Sequence, residues 1–366
     1  MNSKGSIELA TILIITILGT YFFSYVAFIV IQNKYPSSLL EVWNRWDTAH
    51  YLDIAERGYS STTIGERHLR IVFLPFYPLL IRLFSFIFKN YMLSALIVSN
   101  LAYSFAAYYL YKLVLLDYPK KNAIRAVIYI SIFPTSYFLH AAYTESTFLA
   151  LTIGSLYYAR KERWFLSSLL GMFATTTRIN GIVMVPTLLI EYSLQKGFKI
   201  RNIKKDILWQ ALVPLGLVLY LIINYVTFGD PLKFLHFQKI HWGESLVTPL
   251  RGFLGAWGSV LWREPADSFL LGWAQIATGI LGFLSVIYSI VYLRISYRLY
   301  LFLTWLIITS VSFWLSLPRF TLTMFPMFIA LSLLGKHKVI NYLIIFISIF
   351  FFGLFLTLFV NGRWAF

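Results

Sequence analysis

Cysteine is missing from the 366-residue chain, which excludes a disulfide framework, a Cys-ligated zinc site and a thiol nucleophile. Charge is scarce too, at 13% of residues. No HExxH, CxxC, P-loop or GxGxxG pattern occurs, so neither a metalloprotease site nor a nucleotide cradle has the residues it needs. Internal repeats and low-complexity tracts are also lacking, which weakens a lipid or solute transporter reading, because many transporter folds carry two related halves. What fills the chain is apolar: 59% of residues are hydrophobic and 19% aromatic. That composition defines an all-α polytopic membrane protein, with the lipid bilayer as its first partner. The formal net charge of +16 would suggest nucleic acid in a soluble protein. Here Lys and Arg sit in short loops between apolar runs, where membrane topology accounts for them and nucleic acid is not an expected partner.

Apolar runs of spanning length fall near 9–31, 91–116, 125–143, 145–159, 164–177, 180–194, 207–227, 269–293, 299–317, 320–335 and 339–360. They predict about 11 spans at ~20 residues per crossing, several of them short and two of half-helix length. The first run follows Lys4 with no small-residue cleavage site and reads as a retained helix, not a signal peptide. Residues 73–88 carry Pro75, Pro78 and Arg82, and the sign of the loops decides their place. If they lie along the interface, every strongly basic turn lands on one face, so a cytoplasmic N-terminus follows. The acids then concentrate outside, in loops near 32–72 and 228–268, and long polar loops on one face are where function resides. The expected division is a module over 1–228 containing the first loop, then 229–366 with the second loop and the last helices.

Within the first loop, Asp47 is the candidate base. If 41–57 is one interfacial helix, Trp43, Asp47, His50, Tyr51 and Ile54 share a face, Asp53 pairs with Arg57, and Asp47 has no helical partner. A carboxylate flanked by Trp46 at an apolar boundary is expected to have a raised proton affinity. The alternative from spacing alone is an amphipathic helix whose Trp and Tyr belong to the aromatic belt.

The stretch Trp46-Asp47-Thr48-Ala49-His50-Tyr51-Leu52-Asp53-Ile54-Ala55-Glu56-Arg57-Gly58-Tyr59 resembles the first-loop signature of the PIG-V family, the GPI mannosyltransferase II relatives among GT-C glycosyltransferases. Phe73-Leu74-Pro75-Phe76-Tyr77-Pro78, Tyr143-Thr144-Glu145-Ser146, Thr177-Arg178-Ile179-Asn180-Gly181, Gly229-Asp230-Pro231-Leu232 with Gln238 and Trp242, and Leu317-Pro318-Arg319-Phe320 resemble later blocks in family order, up to about 335. The resemblance implies a GT-C-like helix bundle that transfers mannose, with inversion, from polyprenyl-phosphate mannose to a membrane-bound acceptor on the outer or lumenal face. It places the catalytic acid at Asp47. One acid is chemically sufficient, because a phosphate leaves as a stable anion without the second carboxylate that glycoside hydrolysis uses.

The phosphate instead calls for positive charge. Arg178 and Arg319 are each a lone cation near the outer end of a span, suited to the donor phosphate or, alternatively, to snorkelling or a structural ion pair. Glu145 is expected to orient sugar hydroxyls or hold an arginine, or else to be a first-turn acid beside a capping Thr144. Trp46, His50, Tyr51, Tyr143, Asn180, His236, Gln238 and Trp242 complete the expected substrate contacts. His236 and His241 stand five apart, which is not the spacing of a helical metal pair, so no metal and no cofactor are expected. A multi-pass protein of the plasma membrane, or of the endoplasmic reticulum in a eukaryote, follows. The acceptor and any partner subunit are left open, as are a GT-C enzyme with another sugar donor or a protein acceptor.

Overall fold

The computed structural model describes residues 3–243 and 245–366. Helices α1 (Ser3–Gln32), α2 (Thr48–Arg57), α3 (Phe76–Phe88), α4 (Tyr91–Val114), α5 (Lys120–Ile132), α6 (Glu145–Arg160), α7 (Trp164–Thr177) and α8 (Met184–Gln195) come first. They are followed by α9 (Leu212–Phe228), α10 (Lys233–His241), α11 (Pro249–Trp262), α12 (Pro265–Asp267), α13 (Ala274–Tyr292), α14 (Ile295–Thr309), α15 (Leu317–Phe320), α16 (Phe325–Leu334) and α17 (Lys338–Val360). Among the described residues there is no strand beyond a single bridge, Leu246 to Val311.

The apolar runs return as helix, but not as 11 uninterrupted rods. Among the described residues five helical stretches are long and apolar enough to cross a membrane, and two bent pairs raise the number to seven. Proline accounts for the main interruptions. Pro134 ends α5, with Phe133 forced extended at ψ 147°. Pro326 lacks the N–H a continuous helix needs, and the 317–323 and 325–334 segments meet at 83°. Such breaks are tolerated only where protein supplies the missing hydrogen bonds. Gln275 does so here: its Nε2 donates to Leu315 O at 2.8 Å and its Oε1 accepts from Leu317 N at 2.9 Å. Gly229, at φ 71°, closes α9 where the second outer loop was expected to begin.

Helices α6, α7 and α8 run back and forth between two polar ends. At one end, Glu191 is fully buried, takes the Arg294 guanidinium at 2.8 and 2.9 Å and accepts from Ser296 Oγ at 2.7 Å, while Arg160 forks onto Asp117 at 2.6 and 2.7 Å. The opposite end collects the start of α6, the end of α7 and the 317–323 break. Between them α7 and α9 pack closely at Gly216, where a Cβ would sit 2.2 Å from Met172 O.

Candidate active site

Asp47 sits where the first loop turns back into the bundle. Glu41–Trp43 form one 3-10 turn, Trp46 adopts φ 49°, and α2 starts at Thr48 with Asp47 as its N-cap. The continuous helix expected over 41–57 is therefore corrected: the chain breaks at 44–47. Trp43 goes inward against Tyr21 and Phe359, while Trp46 stays exposed. The break is pinned from both sides. Arg45 donates to Val360 O at 3.1 and 2.8 Å, and the Tyr143 hydroxyl accepts from Asp47 N at 3.2 Å while donating to Arg45 O at 3.1 Å.

An N-cap aspartate ordinarily accepts from its own helix. Asp47 makes no such bond, and its Oδ2 instead accepts from Arg319 Nη1 at 3.0 Å. Arg319 Nε donates to Glu145 Oε1 at 2.5 Å, and that oxygen also accepts from Arg178 Nη1 at 2.6 Å. Acid and arginine thus alternate as Asp47, Arg319, Glu145, Arg178, in the pairing that buried charge requires. Asp47 takes its partner from outside its own helix, and Arg178 and Arg319, each the lone cation near a span end, both pair with Glu145. Glu145 is fully buried at 0% side-chain exposure and Arg319 is 8% exposed, whereas Asp47 is 31% exposed and forms the open end. Thr144 does not cap α6 with its side chain; its Oγ1 accepts from Arg178 Nη1 at 3.0 Å. Arg319 also lies 4.5 Å from the Tyr143 ring and 4.9 Å from Phe138, and α15 owes its short length to the neighbouring breaks.

Aromatic side chains form the rest of the wall. Tyr51 packs edge-on against Phe73, Tyr77 and Tyr143, and His50 stacks on Phe73 at 4.8 Å. Burial pushes the His50 imidazole below its ordinary value of 6.5, opposed by Asp47 and reinforced by Arg70. Its Nδ1 is buried without a partner. Trp242 reaches the same wall, 6.4 Å from Phe73. Asn180 is half-buried in the turn Ile179–Val183 directly after Arg178. The other expected contacts are not brought in. His236 is exposed, with its ring beside Phe237 of its own helix, and Gln238 is half-buried on α10. The second-loop histidine that meets the first loop is His241, 6.2 Å from His68.

Sequence reasoning missed Arg67 and Arg70. Both donate to Asp53 Oδ2, Arg67 at 3.1 Å, whereas the expected Asp53–Arg57 pair is looser at 3.7 Å. The available signal was the run Glu66-Arg67-His68-Leu69-Arg70, a charge cluster inside a loop already marked as functional.

A helix bundle with broken spans and a loop-borne acid at one end is the GT-C fold of membrane glycosyltransferases. ArnT from Cupriavidus metallidurans, solved bound to undecaprenyl phosphate, matches with TM-score 0.54 at 12% identity, over 87% of this chain and 59% of its own. The archaeal oligosaccharyltransferase AglB from Archaeoglobus fulgidus, solved with an inhibitory peptide and a dolichol-phosphate, matches with TM-score 0.51 at 11% identity, over 97% and 56%. Residues 23–240 match the mannosyltransferase (PIG-V) family, and the chain belongs to it. GPI alpha-1,6-mannosyltransferase 2 of Mus musculus is 31% identical over 177 residues, 45% of this chain and 34% of that protein. The Homo sapiens protein of the same name is 29% identical over 178 residues, again 45% and 34%. The chain matches about a third of the length of these curated relatives. Asp47, Glu145 and Arg178 fall within the family match, which ends short of the expected 335 and leaves Arg319 outside it.

Proposed function

We propose that this protein is an inverting mannosyltransferase that moves mannose from polyprenyl-phosphate mannose to a membrane-associated glycolipid or glycan on the outer face, with Asp47 as general base. The observation that carries the reading is the Asp47 carboxylate: it is the partly exposed end of an otherwise buried charge chain, and only its Oδ2 is engaged by Arg319. Family membership supports the sugar, and the polyprenyl phosphates named with the two fold neighbours are consistent with the donor.

In this reading an acceptor hydroxyl attacks the anomeric carbon, its proton passes to Asp47 Oδ1, and the bond from that carbon to the phosphate oxygen breaks with its electron pair going to phosphate. Arg319 keeps Asp47 aimed, and Glu145 with Arg178 keeps Arg319 in place. Thr48 Oγ1, Ser146 Oγ, Thr147 Oγ1 and Glu145 Oε2 are buried without partners and belong to residues within two positions of the two acids or to Glu145 itself. They are acceptors and donors that sugar hydroxyls would satisfy. No metal takes part in this scheme, so transfer is expected to persist in excess chelator; loss restored by a divalent ion would overturn that point.

The deciding experiment compares wild type and Asp47→Asn in lipid for transfer of labelled mannose from polyprenyl-phosphate mannose into membrane extract. Loss of about 10²-fold or more in the variant, with unchanged gel-filtration behaviour, is the expected result for a general base. Equal transfer by both proteins would remove Asp47 from the chemistry.

A further inference from the structure

The four charges around Asp47 are balanced, two acids against two arginines, so a phosphate entering there must displace a carboxylate. The seam between the first loop and α10 is different. Among the described residues Arg67 and Arg70 converge on a single oxygen, Asp53 Oδ2, while Arg57 has Glu56 at 3.5 Å as well as Asp53. Arg70 Nε, His50 Nδ1 and His68 Nδ1 are all buried without a partner. Charge is balanced here as well, by Asp53, Glu56 and Glu66, but three buried nitrogens are left unfilled beside two guanidiniums that share one oxygen, and unfilled nitrogens of this kind are the chemistry of an anion site.

The seam is also held rigidly. Arg67 Nη2 donates to Gly58 O at 3.2 Å, and Leu69 and Ile71 are anchored in a small apolar cluster with Tyr220, Phe234 and Phe237. The arginines therefore stand on a turn that packs against α9 and α10. His50 joins this seam to the base: it stands on α2 three residues after Asp47 and stacks at 4.8 Å on Phe73, which directly follows the 64–72 turn. The 64–72 turn then bends by 119° into α3, whose Leu79, Leu83, Phe86 and Ile87 are exposed. An apolar helix surface leading away from the cations suits a phosphate that carries a hydrocarbon tail.

We propose that Arg67 and Arg70, with His50, His68 and His241 around them, hold the phosphate of a lipid-borne substrate whose tail lies along α3. This deepens the mannosyltransferase reading and rests on it for the position of the base, but its test needs no transfer. The probe is farnesyl phosphate added to the full-length protein in detergent, followed by tryptophan fluorescence, with farnesol and inorganic phosphate as comparisons. Wild type is expected to bind farnesyl phosphate at least ~10-fold tighter than either comparison, and Arg70→Gln to lose at least ~10-fold. Arg70→Lys retains the charge and the pairing with Asp53 but not the guanidinium fork, and is expected to fall between the two. It also decides the matter if Arg70→Gln fails to fold. Farnesol binding as tightly as farnesyl phosphate, or wild-type affinity in Arg70→Lys and Arg70→Gln alike, would overturn the site. Equal affinity for inorganic phosphate would overturn its lipid-borne source. Phosphate binding that meets these expectations in a protein with no mannose transfer would instead remove the reaction reading and leave the site standing.

Discussion

Removing the charge of Glu145 is expected to be costly, because two arginines share one of its oxygens in a place where neither can reach water freely. Glu145→Gln keeps the volume and removes the charge, leaving Arg178 and Arg319 with one acid between them. Breaking a buried pair in this way costs about 3–5 kcal/mol, so thermal unfolding should move down clearly and transfer should fall with it, through misplacement of Asp47. Unchanged melting and transfer would mean that the acid serves only the α6 dipole. His50 yields a pH prediction. Its folded-state proton affinity lies below the ordinary 6.5, so the unfolded chain binds the proton more readily. Its contribution to stability is then complete above about 6.5 and is lost as pH falls below that value. The melting temperature of wild type is expected to drop more between pH 7 and pH 5 than that of His50→Gln; parallel curves would count against a buried neutral imidazole.

Among elements, the close crossing of α7 and α9 carries the clearest expectation. Gly216 lies against backbone, where a Cβ would be 2.2 Å from Met172 O, so Gly216→Ala must push the helices apart. A loss of about 1–3 kcal/mol in unfolding stability is expected. An unchanged midpoint would mean that the crossing relaxes without cost. The broken elements matter more for chemistry. Pro326 and Pro134 interrupt helices near Arg319, which projects from the four-residue α15, and ahead of the Tyr143–Glu145 corner where α6 begins. Those prolines were visible in the sequence, and short spans suggested half-helices. What local pattern did not reveal is that the first loop also breaks, at Trp46, so that the face inferred from an uninterrupted 41–57 helix never forms.

At the scale of the whole molecule, α6, α7 and α8 separate two polar ends: the Asp47 side, and the side with Glu191 and the basic turn that follows α8. We propose from loop charge that the first faces outward. Because the chain has no cysteine, Ser61→Cys and Lys199→Cys can be made singly and exposed to a membrane-impermeant maleimide in intact cells. Both positions are exposed, so Ser61→Cys should label and Lys199→Cys should not until the membrane is permeabilised. The reverse pattern would invert the topology. Composition and the order of apolar runs determined the helical membrane class, because a bilayer forces backbone hydrogen bonds to close within each segment and so makes spans readable one at a time. The first-loop motif likewise determined the family and pointed to Asp47. Which cation meets which acid was decided by the tertiary structure alone. Arg319 lies 272 residues from Asp47 and 174 from Glu145 along the chain, a separation over which no periodicity operates. The cost of unpaired charge in a dry interior brings the three together, and the same packing leaves Arg67 and Arg70 sharing a single carboxylate oxygen at the seam beside them.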